Sequence, residues 1–81
     1  MDFKSASDVI SSIAFSPDGK AIAAGTNAGN IRIWDFETGK LLKRIPDFRY
    51  PITELEFTEN GKRLVSASDE KNYVRVWRSG L

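Results

Sequence analysis

A repeat constrains this chain more than any other feature. The segment Ile10-Ser11-Ser12-Ile13-Ala14-Phe15-Ser16-Pro17-Asp18-Gly19-Lys20 aligns without a gap on Ile52-Thr53-Glu54-Leu55-Glu56-Phe57-Thr58-Glu59-Asn60-Gly61-Lys62 at an offset of 42. Ile10, Phe15, Gly19 and Lys20 recur identically. Further on, Ile31-Arg32-Ile33-Trp34 matches Val74-Arg75-Val76-Trp77 at an offset of 43, so one residue is inserted in the turn ahead of it, where insertions are tolerated. A fixed period of this length means that one supersecondary unit has been copied, and such a unit covers its apolar face by stacking on its neighbours.

Each copy reads as short strands cut by turn chemistry. Residues 10–15 alternate, with Ile13 and Phe15 on one face and Ala14 on the other. Ser16-Pro17-Asp18-Gly19 then forms a turn, because proline fixes φ at its second position and glycine tolerates the positive φ that follows. Lys20 to Ala24 returns as a second strand whose small residues predict burial on both faces, and Leu64-Val65-Ser66-Ala67 takes its place in the second copy. After the polar turn Gly25–Asn30, the β-branched run Ile31–Trp34 is a third strand, and Asp35–Gly39 turns into a fourth over Lys40–Ile45. Turn signals interrupt every window long enough for a 3.6-residue pattern, so almost no helix is expected. Four strands per repeat of 42 to 43 residues predict an all-β chain of two four-stranded antiparallel β-propeller blades, part of a larger ring.

At these residues the chain resembles the WD-repeat β-propeller family, over about residues 9 to 78. Ser16–Gly19 matches the family's Ser-Pro-Asp-Gly hairpin in full and Thr58–Gly61 matches it loosely. The closing Trp-Asp pair is present as Trp34-Asp35, followed by Thr38-Gly39-Lys40, whereas the second copy ends Trp77-Arg78. Family members commonly join a histidine and an aspartate in a buried network that reaches the tryptophan. This chain has no histidine, and Ala28 holds the aspartate position of the first copy, so the complete network cannot form. The resemblance also implies a phase. Blade one covers about residues 9–46 and blade two about 51–81, within a single segment 1–81. Residues 1–5 of another copy then complete blade two, with Asp2, Phe3 and Lys4 pairing against Tyr73, Val74, Arg75 and Val76 of a neighbouring chain.

Composition narrows the function classes. With 81 residues, 41% of them hydrophobic, one small β-rich unit is expected. Twelve basic and eleven acidic side chains leave a formal net charge of +1, which does not direct the chain to nucleic acid or to an anionic membrane. The absence of cysteine gives no reason for an oxidising compartment, so a cytoplasmic or nuclear setting is expected. Met1–Ser5 lacks the apolar core of a signal peptide, and no later run is long enough to span a membrane.

Chemistry finds few footholds. Serine or threonine nucleophiles need a base, usually histidine, and Ser66, Ser68 and Thr26 read as strand-end hydroxyls that satisfy backbone groups. Glu54 and Glu56 share one strand face but stand where the first copy has Ser12 and Ala14, so they read as a less buried face rather than an acid-base pair. Neither a metal site nor a cofactor is expected.

The remaining cluster, Phe48-Arg49-Tyr50 behind Lys43 and Arg44, combines aromatics and cations in the manner of stacking sites or protein hot spots. Its duller reading is a charged edge strand followed by a lead into the next blade. Ring geometry in the family gathers Phe48, Arg49 and Tyr50 with Asn27, Asp69, Glu70, Lys71 and Asn72 at one mouth, the candidate partner site. The expected function is therefore a protein-interaction scaffold without catalysis, whose partners are other proteins and whose ring is either a homo-oligomer or the remainder of a larger propeller. The alternative is a fragment or engineered segment whose main property is self-assembly into a closed ring of six or eight blades.

Overall fold

The computed structural model describes residues 9–46, 50–68 and 73–81, and no described residue is helical. Seven strands follow in order: β1 (Ile10–Phe15), β2 (Ala21–Thr26), β3 (Asn30–Asp35), β4 (Leu41–Pro46), β5 (Glu54–Phe57), β6 (Arg63–Ser68) and β7 (Tyr73–Arg78). They form a four-stranded sheet in the order β1-β2-β3-β4 and a three-stranded sheet in the order β5-β6-β7, every pair antiparallel. The two repeats are thus two sheets of simple up-and-down connectivity. The second sheet has three strands among the described residues. Residues 1–5, expected to complete such a sheet in another copy, lie outside the described residues.

The two expected hairpin turns share one hydrogen-bond scheme although their residues differ. In the first, the Ser16 hydroxyl donates to Asp18 Oδ1 (2.6 Å), the Lys20 amide donates to the same oxygen (2.9 Å), and the Gly19 amide donates to the Ser16 carbonyl (2.9 Å). In the second, Thr58 Oγ1 donates to Asn60 Oδ1 (2.9 Å), the Lys62 amide donates to that oxygen (3.0 Å), and the Gly61 amide donates to the Thr58 carbonyl (2.9 Å). Gly19 and Gly61 both sit at positive φ, 74° and 73°, which explains why glycine recurs there. A short side-chain acceptor two residues after a hydroxyl suffices, and either an amide or a carboxylate supplies it.

The core lies between the sheets. Blade one turns Ala21, Ala23, Ile31, Ile33 and Ile45 towards Phe57 and Leu64 of blade two and towards Ile52 of the connector, with Ala14, Leu55 and Trp77 packed around them. Small residues on β2 let the second sheet approach, and all six positions of that strand are buried, as its composition predicts. A smaller cluster of Ile22, Ala24 and Trp34 lies on the other face of blade one. Alternation along β1 is as expected, but its apolar face is uncovered. Ile13 is 56% and Phe15 52% exposed, whereas Phe57, the second copy of Phe15, is 8% exposed. The same motif is core in one blade and surface in the other because, among the described residues, only blade two has a neighbour on that side.

Candidate functional site

The geometry that holds the blades together is built around the connector. β1 carries a bulge at Ser11, between the pairs Ile10–Thr26 and Ser12–Gly25, and a bulge re-aims a side chain. The Ser11 hydroxyl donates to the carbonyl of Ile52, as does the Ser12 hydroxyl at 3.2 Å. The Ile52 amide donates to the Thr26 carbonyl (3.0 Å). Gly25 lies beneath this residue, and a Cβ built on it would stand 2.4 Å from Ile52 Cγ2 and 2.6 Å from Ile52 Cβ, closer than real contacts allow. On the outer side, Lys43 Nζ donates to the Arg78 carbonyl (2.7 Å) and ties β4 to the end of β7.

The connector sets Tyr50, assigned to the mouth, against Tyr73, which the sequence assigned to inter-chain strand pairing. Tyr50 packs edge to face on Tyr73, ring centroids 4.9 Å apart, and this joins the lead into blade two to the start of β7. Both rings are half-buried. The Arg75 guanidinium then lies 5.3 Å from the Tyr73 ring and 5.4 Å from the Trp77 ring, with its Nε donating to the Tyr73 hydroxyl. Tyr73, Arg75 and Trp77 share one face of β7, so cation–π contacts continue the ladder that begins at Tyr50. Asn27 is exposed at the β2–β3 turn, its amide donating to the Val9 carbonyl (3.0 Å). Phe48, Arg49, Asp69, Glu70, Lys71 and Asn72, all assigned to this mouth from the sequence, lie outside the described residues, as do Asp2, Phe3 and Lys4. Val74 and Val76 are exposed on β7, and no strand lies beyond β7 among the described residues.

The hydroxyls read from the sequence divide. Thr26 Oγ1 accepts the Asn30 amide (3.1 Å), a backbone role as expected. Ser66 differs: its hydroxyl accepts the Trp77 indole N–H (2.9 Å), so blade two keeps the tryptophan end of a polar network without the histidine. In blade one the position that pairs alike is Ala24. Glu54 and Glu56 are exposed on β5, together on one face with Val65 and Ala67.

Among the described residues, perturbed ionisation is confined to turns. The Ser16 hydroxyl, followed by the Lys20 amide, holds the Asp18 carboxyl below the usual carboxylate range, and the Thr38 and Glu37 amides do the same for Asp35. Both carboxylates cap the turns they belong to, since Asp35 Oδ1 accepts from Glu37 N (2.9 Å) and Thr38 N (3.0 Å). Among the described residues no group of three histidine, cysteine, aspartate or glutamate side chains could hold a metal ion, and no helix is long and apolar enough to cross a membrane.

Sequence reasoning missed the serine clamp on Ile52, the Tyr50–Tyr73 contact and the Lys43 tie. A signal existed for the clamp in Gly25, a glycine inside a strand, which marks close approach of another chain segment. The tyrosine contact joins residues 23 positions apart across two elements, and no local pattern announces it.

Comparison with known proteins agrees with this geometry. A family model described as "Vps8 beta-propeller" matches residues 2–78. The retinoblastoma-binding protein 5 homolog of Drosophila melanogaster is 42% identical over 79% of this chain and 13% of its own length. Human WD repeat and SOCS box-containing protein 1 is 44% identical over 78% of this chain and 15% of its own length. The chain therefore spans a small part of the relatives it matches. The crystal structure of RRP9 WD40 repeats superposes with a TM-score of 0.85 at 22% identity, covering 95% of this chain and 24% of that one, which shows the fold. With two copies of the repeat folded as adjacent antiparallel sheets, the chain belongs to the WD-repeat β-propeller proteins, within the Vps8 beta-propeller family.

Proposed function

We propose that the chain serves as a protein-interaction scaffold and carries out no catalysis. The observation that carries this reading is the half-buried Tyr50–Tyr73 pair at the junction of the two blades, with Arg75 Nε donating to the Tyr73 hydroxyl. Aromatic and arginine side chains on rigid supports are the residues that dominate protein interfaces. A relative named as a retinoblastoma-binding protein supports the same class of use. Against catalysis stands the chemistry of the site: no histidine is present, and the two carboxylates with shifted ionisation both serve turns. The proposed partner surface is Phe48, Arg49, Tyr50, Asn27, Asp69, Glu70, Lys71 and Asn72, the partners are other proteins, and the proposed setting is cytoplasmic or nuclear.

The test compares two surfaces on one chain. Arg49→Ala with Tyr50→Ala should cost about 2 kcal/mol or more of partner affinity if these are hot spots, measured by quantitative capture from a lysate against the unaltered protein. Phe36→Ala at the opposite mouth should leave that capture unchanged. The reverse pattern moves the site to the mouth formed by Ser16–Gly19, Phe36–Gly39 and Glu59–Gly61.

The uncovered faces favour a second reading beside the first: self-assembly into a closed ring of six or eight blades, from three or four copies. In that reading Asp2, Phe3 and Lys4 add a strand to the open edge of β7 in a neighbouring chain, and deleting residues 1–4 weakens assembly.

A further inference from the structure

The arginine of the third strand recurs in both copies, but its surroundings do not. Arg75 of β7 donates from Nε to the Tyr73 hydroxyl and lies beside the Tyr73 and Trp77 rings. Arg32, its counterpart in blade one, has Asn30 where blade two has Tyr73. Nη1 of Arg32 is buried and has no hydrogen-bond partner. A buried N–H without an acceptor bears the full cost of leaving water. Across the sheet Arg32 pairs directly with Arg44, as Asn30 does with Pro46, and like charges directly opposite each other repel. The strands of this sheet supply no counter-ion. Their one carboxylate, Asp35, pairs with Ala21 on the face turned to blade two and accepts the Glu37 and Thr38 amides. A cavity of about 80 Å³ opens between Asn30, Arg32, Arg44 and Pro46. One water molecule needs roughly 10–15 Å³ of such space, so a small polyatomic ion has room. Asn30 opens β3 and Pro46 closes β4, so the cavity lies at the end of the sheet that carries the β2–β3 turn, with Asn27, and the connector, with Tyr50.

We propose that Arg32 and Arg44 form a binding site for a phosphoryl oxyanion. Residues paired directly across two strands have Cβ atoms about 4.5–5.5 Å apart, so two arginine side chains can close on one ion seated between them. Each guanidinium presents a planar fork that matches phosphate oxygens. A phosphate monoester carries about −1.5 to −2 charge near neutral pH on three acceptor oxygens, so one group neutralises both arginines where a carboxylate neutralises one. Arg32 is only part-buried and Arg44 is exposed, which leaves both forks able to turn onto the ion. That turn gives Nη1 of Arg32 the acceptor it lacks. The phosphoryl group is either inorganic phosphate or a phosphorylated side chain of a partner protein. In the second case the source rests on the scaffold reading, and the site adds to the mouth proposed there.

Titration with sodium phosphate at constant ionic strength, balanced by sodium chloride and followed through the arginine Nε–Hε NMR signals, tests the site. The Arg32 and Arg44 signals should shift together and saturate, while that of Arg75, engaged with Tyr73, stays in place. Arg44→Gln and Arg32→Lys should each weaken phosphate binding about tenfold or more, with backbone spectra confirming that both variants fold. A phosphoserine peptide and its unphosphorylated form separate the sources. Binding tighter than that of inorganic phosphate, and lost without the phosphoryl group, assigns a partner's side chain; equal or weaker binding assigns the free ion. Signals that drift without saturating, or that answer phosphate and chloride alike, reflect screening only and overturn the site. Binding that survives both substitutions overturns it too, as does binding that appears only in Asp47→Asn, since the chain's own carboxylate is then the occupant. None of these outcomes depends on the Arg49 and Tyr50 test, so the site and the scaffold reading fail separately.

Discussion

Gly25 and Asp18 show how single residues set this structure. At Gly25 the connector presses on blade one, and a methyl group there would run into Cγ2 and Cβ of the Ile52 side chain and the Ser12 hydroxyl. Gly25→Ala should therefore destabilise the fold by about 1–3 kcal/mol, against the small gain that alanine ordinarily brings to a strand, as read from chemical denaturation. Ser66→Ala removes the acceptor of the Trp77 indole and should cost about 1 kcal/mol in chemical denaturation. For Asp18 and Asp35 the folded carboxyl is more acidic than the unfolded one. Their contribution is thus complete above the unfolded value of about 3.9 and is lost as pH falls below it towards the depressed folded values. Since Asn60 makes the same turn in the second copy, Asp18→Asn should keep the fold and flatten this acid limb in pH-dependent melting, and an unchanged limb would contradict the role given to Asp18.

At the scale of elements, the strands were legible because alternation, β-branched runs and glycine-bearing turns all pointed to the same assignment. Ser16–Gly19 and Thr58–Gly61 fold alike because their turn chemistry is equivalent, and Trp34 and Trp77 pair with Ile22 and Leu64, equivalent sites on β2 and β6. Strand limits moved by one or two residues: β2 extends through Thr26 and β3 starts at Asn30, because Thr26 Oγ1 holds the Asn30 amide and tightens the turn. What the pattern could not say was which apolar face is covered. Ile13 and Leu55 have the same place in the repeat, yet only Leu55 packs against the core. Of the candidate partner site, Asn27 and Tyr50 fall on described residues, as does Tyr73 of the strand expected to pair between chains. That Tyr50 touches Tyr73 depends on the path of the connector, which Ser11, Ser12 and Thr26 fix through hydrogen bonds to Ile52. Replacing Ser11 and Ser12 together by alanine should loosen that path and speed hydrogen exchange at the Ile52 amide with little change in the turns.

At the scale of the whole molecule, the two sheets of the described residues share one seam and leave two faces without a neighbour among those residues. Repeat architectures gain stability from each seam, so a chain with one seam holds fewer of them per residue than any closed ring. Ile13, Phe15, Val74 and Val76 are each more than half exposed, a burden that a lone pair of blades carries and an assembly removes. Sedimentation equilibrium of the unaltered chain tests this account most directly. It predicts a reversible assembly of three or four chains whose melting temperature rises with concentration, and a cooperatively folded monomer with a concentration-independent melt would contradict it.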